Sequence, residues 1–222
     1  MPGPVTIRPV RVSDLPEIAD LHRRVFPESA ITAAGAAAVR RYYQWQCAPV
    51  HDVVNLVAVQ DGTIAGFCFG GAFQGAMSGF LRRNRWFLLG AFAVRPWVLL
   101  RPAIRGSLVS GLRDVVRAAR RSGRPAAQAR PDAVFGRSFG ILAIAASPGA
   151  GIGRRLMDVA EEQARRQGYR RMNLSVRPDN AAAIGFYEAI GWRKVMVGGT
   201  WRGHMERALD AGQHERGHSS VS

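Results

Sequence analysis

The feature that most constrains the fold is an apolar segment followed by a glycine-rich loop and a basic amphipathic helix. The segment "SFGILAIAA" (138–146) carries no charge, which is typical of a short buried β-strand. The next residues, "SPGAGIG" (147–153), include three glycines, and "IGRRLMDVAEEQARRQG" (152–168) has apolar side chains at helical spacing. This order predicts an anion-binding loop, because the first N–H groups of a helix have no partner within it.

The backbone amides of this loop are the groups that we expect to contact a phosphate. They belong to Gly149, Ala150, Gly151, Ile152 and Gly153. Arg154 and Arg155 add positive charge beside them. The spacing matches neither the dinucleotide-binding fingerprint G-x-G-x-x-G nor the P-loop, which ends in Lys-Ser or Lys-Thr. Taken alone, the same glycines also fit a tight strand-to-helix turn.

A second segment, "VRPDNAAAIGFYEAIGW" (176–192), predicts a helix that Asp179 or Asn180 caps and Gly191 ends. Asn180 and Tyr187 are seven residues apart, so they share one helix face with Ala183. An amide and a phenol on one stripe, beside a phosphate loop, form a candidate substrate-facing surface. The alternative is an amphipathic helix whose tyrosine belongs to the core.

The remaining sequence predicts a single α/β domain interrupted by a basic insertion. "VTIRPV" is a first strand, two helices follow, and Asp61-Gly62 marks a hairpin turn. Residues 72–137 break this pattern, since they hold thirteen arginines against two acids in a chain of 222 residues and net charge +15. We therefore expect one domain over 1–209 with a basic helical insertion at 72–137 and a disordered tail at 210–222.

Combined, these segments resemble the GCN5-related N-acetyltransferase (GNAT) family. The similarity lies in "LAIAASPGAGIGRRLM" and "LSVRPDNAAAIGFYEAIGWRKV", and also in "IRPVRVSDLPEIADLHRRVFP". It covers residues 5–71 and 138–208. The positions that fall at the family's spacing are Val176, Asn180, Ala183, Phe186, Tyr187, Gly191 and Trp192. The resemblance implies an α/β fold with a mixed, mostly antiparallel central sheet, a splayed cofactor-binding strand and flanking helices.

The resemblance also implies roles for individual residues. The strand around Ala143 would pair with the pantetheine arm of acetyl-CoA, and the loop 149–154 would hold its pyrophosphate. Asn180 would contact the pantetheine or the acetyl end, and Tyr187 would give a proton to the departing thiolate. The expected cofactor-binding residues are Leu142, Ala143, Ile144, Gly149, Ala150, Gly151, Ile152, Gly153, Arg154, Asn180, Ala183, Phe186 and Tyr187. No metal is expected.

The general base is harder to identify, because the predicted cofactor strand contains no acid. Glu28 is the best candidate, since the resemblance places the loop after the first helix beside the amine. Weaker candidates, each of which also fits a solvated or structural side chain, are His22, Asp52, His204 and Glu206. Loss of the amine proton to solvent would make a base unnecessary.

The expected activity is transfer of acetyl from acetyl-CoA to a primary amine, with a small molecule or an amino sugar favoured as the acceptor. The alternative is a non-catalytic CoA-binding module that binds a membrane, nucleic acid or protein partner through its insertion. Pro148 departs from the family, which usually has Gln or Arg there. Proline removes an amide donor, so we expect weaker phosphate contacts at that position.

The basic insertion fits more than one partner. It suits a helical cap with solvated arginines, or an anionic membrane surface contacted through residues 80–121. Nucleic acid is disfavoured because no RNA-binding motif is present, and a homodimer stays open. We expect Cys47 and Cys68 to be reduced thiols, and the N-terminus lacks the pattern of a secretory signal peptide. We therefore expect a cytoplasmic protein, with a peripheral place at the membrane as an option.

Overall fold

A seven-stranded sheet organises the molecule. The computed structural model of the chain describes residues 3–72, 76–94 and 138–209. Its strands are β1 (Thr6–Pro9), β2 (Asp52–Gln60), β3 (Thr63–Ala72), β4 (Phe139–Ala146), β5 (Arg171–Ser175), β6 (Arg193–Val197) and β7 (Thr200–Ala208). They lie in the order β1-β2-β3-β4-β5-β7-β6, and all neighbours are antiparallel except β4 and β5. The predicted mixed, mostly antiparallel sheet is confirmed.

Helices connect the strands and cover both faces of the sheet. They are α1 (Leu15–Val25), α2 (Ala30–Ala33), α3 (Ala36–Gln46), α4 (Ala76–Arg83), α5 (Arg85–Ala93), α6 (Ile152–Arg166) and α7 (Ala181–Ala189). One apolar cluster joins α1 and α3 to the sheet and includes Ile18, Tyr43 and Phe67. A second cluster on the other face joins α6 to the sheet and includes Cys68 and Leu156.

Strand β3 contributes to both clusters because its side chains alternate between the two faces. Phe67 and Phe69 pack toward α1 and α3, and Cys68 between them packs toward α6. All three are fully buried. Gly66, on the α6 side, lets that helix approach closely, since a Cβ there would lie 2.8 Å from Cγ2 of Ile152.

The sheet opens between β4 and β5. Their parallel pairing ends at Ile141 and Leu174, whereas β4 continues to pair with β3 as far as Ala146. The register between β3 and β4 shifts at Leu142, because Phe69 pairs with Ala143 while the next residue of β3 pairs with Ile141. This bulge bends the strand at the residue where the two neighbours separate. The C-terminal half of β4 therefore has one edge that β5 does not cover.

Part of the predicted insertion lies outside the residues that the structure describes. Strand β3 extends to Ala72, and α4 with α5 accounts for residues 76–93. Residues 95–137 and the predicted tail at 210–222 are not among the described ranges, so the domain boundaries stay predictions. Within the described ranges, every helix is too short or too polar to span a bilayer.

Candidate functional site

The gap between β4 and β5 contains the three strand residues that we expected to contact the cofactor. Leu142 occupies the bulge and is 37% exposed. Ala143 packs toward the α1 side of the sheet, and Ile144 packs toward the α6 side. Because both side chains point away from the sheet plane, the backbone groups on the uncovered edge face the gap. The site is thus framed by main-chain donors and acceptors.

The glycine loop closes one end of this gap. The N–H of Ser147 donates to the Ala65 carbonyl at 2.7 Å, which fixes the loop to β3. Gly151, at φ 62°, turns the chain into α6. The first backbone bond back to the loop runs from Arg155 N to Gly151 O, at 3.1 Å. The amides of Ile152 and its next two residues therefore precede the helical hydrogen bonds and are free for an anion.

The two arginines that follow the loop have different surroundings. The Arg155 guanidinium donates to the Val5 carbonyl at 2.9 Å, so it is tied to the segment before β1. Arg154 is exposed at the start of α6. Pro148 lies exposed in the loop, where it supplies no N–H. Of these three side chains, Arg154 is the one placed to add charge at the helix start.

Tyr187 lies buried on α7 with its ring against Phe186 and Trp192, at centroid distances of 5.2 and 5.9 Å. Burial, with a smaller effect of Cys68, raises the pKa of the Tyr187 phenol. Cys68 pairs with Ile144 in the β3–β4 register, so this phenol belongs to the part of the core beneath the open edge of β4. It keeps its proton at neutral pH and can donate it.

Asn180 begins α7 as its N-cap. Its side-chain oxygen accepts a hydrogen bond from Ala183 N at 3.1 Å. Asp179, the other predicted cap, instead pairs with Arg177 at 2.6 Å. Phe186, one turn further along α7, contacts the first turn of α6, because a Cβ at Gly153 would lie 3.5 Å from its ring. Asn180, Ala183 and Phe186 thus line the side of α7 that leads to the glycine loop.

Glu28 lies on a cavity of about 420 Å³ between the loop after α1 and the loop before α7. The lining residues are Val25, Phe26, Pro27, Glu28, Ser29, Arg177, Asp179 and Asn180. The structure therefore brings Glu28 and Asn180, which are far apart in sequence, to one site. A cavity of this size suits a small molecule. Sequence analysis missed Ser29 and Arg177, because neither belongs to a recognisable motif.

The weaker base candidates lie elsewhere. Asp52 accepts a hydrogen bond from the Tyr169 hydroxyl at 3.3 Å, and His204 contacts Ser175 at 3.1 Å on the surface of the sheet. Glu206 pairs with Arg193 in the register of β6 and β7. None of these three side chains lines the cavity that contains Glu28. In the part of the chain that the structure describes, no cluster of His, Cys, Asp or Glu could hold a metal ion.

His22 is buried behind the same cavity. Its Nδ1 lies 2.8 Å from the Tyr43 hydroxyl, and its Nε2 lies 3.4 Å from Ser29 Oγ. Phe26 packs against the imidazole at a centroid distance of 4.9 Å. Burial lowers the pKa of His22 to about 4, so the ring is neutral at physiological pH. Ser29, which lines the cavity, connects the imidazole to it by its contact with Nε2.

Part of the sequence and the described fold are similar to those of known acetyltransferases. Residues 118–192 match the sequence profile of the acetyltransferase (GNAT) family. The fold is similar to that of the ribosomal-protein-S18-alanine N-acetyltransferase from Escherichia coli, with 15% identity, a TM-score of 0.53, and coverage of 97% of this chain and 100% of that one. No curated protein sequence is significantly similar to this chain.

Two further solved structures carry ligands. The PaiA N-acetyltransferase from Thermoplasma acidophilum, in complex with coenzyme A, has 13% identity, a TM-score of 0.52, and coverage of 92% of this chain and 99% of that one. The GNAT superfamily phosphinothricin acetyltransferase from Sinorhizobium meliloti, in complex with acetyl-CoA, has 16% identity, a TM-score of 0.53, and coverage of 98% and 95%. Residues 118–192 are thus similar in sequence to the GNAT acetyltransferase family, and the described fold is similar to that of GNAT acetyltransferases.

Proposed function

We propose that this chain transfers an acetyl group from acetyl-CoA to the primary amine of a small acceptor. The observation that carries the proposal is the early end of the β4–β5 pairing, at Ile141 and Leu174. It leaves a strand edge open between a helix N-terminus with free amides and a buried, protonated tyrosine. A long ligand with amide groups at its centre and phosphates at one end fits the open strand edge and the helix N-terminus.

The cofactor contacts that we propose follow from those surfaces. The backbone of Leu142, Ala143 and Ile144 would pair with the amides of the pantetheine arm. The pyrophosphate would accept hydrogen bonds from the loop, with Arg154 as the added cation. The loop amides assigned to it are those of Gly149, Ala150, Gly151, Ile152 and Gly153. Asn180, Ala183 and Phe186 would border the arm from the side of α7.

Acetyl transfer requires three catalytic roles: a base, a donor to the developing oxyanion and an acid for the leaving thiolate. Glu28, on the cavity beside Asn180, would take the proton that the attacking amine must lose. A backbone N–H near Ile144 would stabilise the negative charge that develops on the carbonyl oxygen. As the new C–N bond forms and the C–S bond breaks, Tyr187 would give its proton to the departing thiolate. The phenol carries its proton when the thiolate appears, because burial raises its pKa.

The Tyr187→Phe variant tests the proposal. We expect acetyl-CoA to bind with unchanged affinity by calorimetry, while thiol release in the presence of an amine falls about 100-fold, because general acid catalysis contributes on this scale. Tyr42→Phe is the matched control, since Tyr42 is also buried but packs on the α3 side of the sheet, and it should retain activity. Absence of acetyl-CoA binding at millimolar concentration would contradict the proposal.

A non-catalytic CoA-binding module is the second candidate. It is favoured by the absence of any acid on β4 and by the exposed position of Glu28. In that case the protein would bind acetyl-CoA but would release no thiol with any amine of a broad panel. Tyr187→Phe would then have no effect on any measured property except the packing of α7.

We also assign a peripheral membrane contact to α4 and α5. Trp86 and Leu89 are three residues apart on one face of α5 and are 73% and 60% exposed. Leu88 and Phe80 are buried and hold the two helices against the core. A helix that is apolar on its outer face as well as its inner face is typical of one that meets a membrane or a partner.

The charges beside this face favour an anionic lipid surface. Arg82, Arg83 and Arg85 are exposed on the same two helices, and residues 76–93 contain no acid. The Arg85 guanidinium lies 5.2 Å from the Trp86 ring. Apolar side chains bordered by cations fit the boundary between lipid tails and acidic headgroups.

A further inference from the structure

A buried chain of hydrogen bonds ends at the cavity that contains Glu28. It runs from the Tyr43 hydroxyl to His22 Nδ1, at 2.8 Å, and from His22 Nε2 to Ser29 Oγ, at 3.4 Å. Tyr43 is fully buried and His22 is 6% exposed. Ser29 is the member of this chain that lines the cavity. The three groups connect the core to the proposed acceptor site.

The direction of these bonds can be derived from the burial of Tyr43. A buried hydroxyl proton needs an acceptor, and the imidazole Nδ1 is the polar atom that the described structure places at hydrogen-bond distance from it. Tyr43 therefore donates to Nδ1. Because the ring is neutral, the proton of the imidazole must then be on Nε2. His22 consequently donates to Ser29 Oγ.

This direction determines what Ser29 can offer to a ligand. Its oxygen already accepts a hydrogen bond from His22, so its own proton is available for donation. Since Ser29 lines the cavity, that proton can point to an atom of whatever occupies the cavity. Ser29 thus presents a donor and favours a ligand atom that accepts a hydrogen bond. An ammonium group only donates hydrogen bonds, so it cannot accept the Ser29 proton.

The charges around the cavity indicate which kind of hydrogen-bond acceptor on the ligand Ser29 would contact. Arg177 makes a two-pronged contact with Asp179, at 3.0 and 2.6 Å, so its charge is neutralised locally. Because Glu28 adds a further carboxylate, the cavity lining has a net negative charge. A carboxylate on the acceptor would be repelled by Glu28. A neutral oxygen, such as a hydroxyl or a carbonyl, satisfies Ser29 without this penalty.

We propose that Ser29, held by His22, is a specificity residue that selects amines bearing a neutral oxygen close to the amino group. The ammonium would lie toward Glu28 and the oxygen toward the Ser29 hydroxyl. Amino sugars and amino alcohols provide such an oxygen as a hydroxyl, and amino-acid amides provide it as a carbonyl. This inference rests on the proposed function, because it assigns the cavity to the acceptor amine.

The test measures ligand preference rather than rate alone. Calorimetric titrations of the CoA-loaded chain compare glucosamine with cyclohexylamine, and glycinamide with propylamine. We expect at least one oxygen-bearing amine to bind roughly three- to tenfold more tightly than its partner, which is the range of a single hydrogen bond. The arm that shows the preference identifies the oxygen as hydroxyl or carbonyl. In Ser29→Ala the preference should disappear.

Ser175→Ala is the matched control, because Ser175 also contacts a histidine, His204, at 3.1 Å but does not line the cavity. It should keep the preference. Equal binding within both pairs, absence of binding by all four amines, or a preference that survives Ser29→Ala would overturn the inference. A preference abolished by Ser29→Ala without any thiol release would support it while refuting the proposed transferase activity.

Discussion

Tyr187 and His22 show how burial keeps two titratable side chains neutral. Transfer from water disfavours the charged form of either group, so it raises the pKa of the phenol and lowers the pKa of the imidazole. A neutral Tyr187 can act as an acid. A neutral His22 has one proton, and the Tyr43 contact fixes it on Nε2. The same physical effect thus prepares a donor on each side of the sheet.

The lowered pKa of His22 makes stability depend on pH. The folded pKa is about 4, against 6.5 for an unperturbed imidazole, so the unfolded chain binds the proton first as the pH falls. The free energy of unfolding should therefore decrease between about pH 6.5 and pH 4, by at most about 1.4 kcal/mol per pH unit. Above that window the contribution is constant. Urea unfolding across this pH range measures the slope.

His22→Gln should flatten this slope, whatever its effect on stability at neutral pH. His204→Gln is the matched histidine replacement, since it removes an exposed imidazole from β7. A slope that is equal in wild type and His22→Gln would show that other groups cause the dependence.

At the scale of elements, the N-terminus of α6 carries the proposed phosphate site. Three consecutive amides precede its first helical hydrogen bond, and the helix dipole adds partial positive charge. Phe186 of α7 packs on the same turn, so α7 contacts α6 next to the proposed phosphate site. The two arginines in this turn are adjacent in sequence but differ in their contacts, because the Arg155 guanidinium donates to the Val5 carbonyl.

Arg154→Gln should weaken acetyl-CoA binding about tenfold, because it removes a charge-assisted hydrogen bond to the pyrophosphate. Arg155→Gln should have little effect on affinity, since its guanidinium is used by the backbone before β1. Titration calorimetry at two salt concentrations separates them, because the contribution of Arg154 should shrink as salt increases. Equal losses in both variants would contradict this difference.

Pro148→Arg should strengthen acetyl-CoA binding. The change adds an N–H donor and a cation to an exposed position of the loop. Pro148→Ala restores the N–H without the charge and so separates the two contributions. Unchanged affinity in both variants would mean that the existing amides and Arg154 already saturate the phosphate contacts.

At the scale of the whole molecule, positive charge is concentrated in one segment of the sequence. Thirteen arginines fall within residues 72–137, whereas the cavity lining has a net negative charge. The described part of the basic segment is the exposed face of α4 and α5. An anionic surface would be attracted to that face, and a cationic amine would be attracted to the cavity.

The intact protein should therefore float with vesicles of phosphatidylglycerol and phosphatidylcholine, and less with phosphatidylcholine alone. Exchanging Arg82 and Arg83 for Gln should reduce binding by roughly 1 kcal/mol per charge, and Trp86→Ser should reduce it further. Arg193→Gln, on the exposed strand β6, is the matched control. If Trp86→Ser instead abolished self-association in size-exclusion chromatography, the occupant of this face would be a second copy of the chain.

Local patterns made much of the architecture predictable. The strand, glycine loop and helix from 139 to 166 depend on neighbouring residues, and they occur where the sequence indicated. Asn180 rather than Asp179 caps α7 because Asp179 has an ion-pair partner in Arg177. Such a choice depends on competing contacts, and the sequence pattern left both residues open.

The acceptor cavity was much less predictable. It joins residues about 150 positions apart, and the chain from Tyr43 through His22 to Ser29 depends on how α1 packs against α3. No periodicity encodes such a contact. Family resemblance predicts Glu28, whereas the place of Ser29 depends on the packing of the two loops that form the cavity.

The uncovered edge of β4 has a consequence for the lifetime of the protein. An unpaired strand edge inside a sheet offers a template for pairing with other chains. A ligand that occupies it would add stability by mass action, about 2.7 kcal/mol at a concentration one hundred times its dissociation constant. If acetyl-CoA binds there as proposed, the bulge at Leu142 that opens the sheet would link resistance to aggregation and proteolysis to the supply of the acetyl donor.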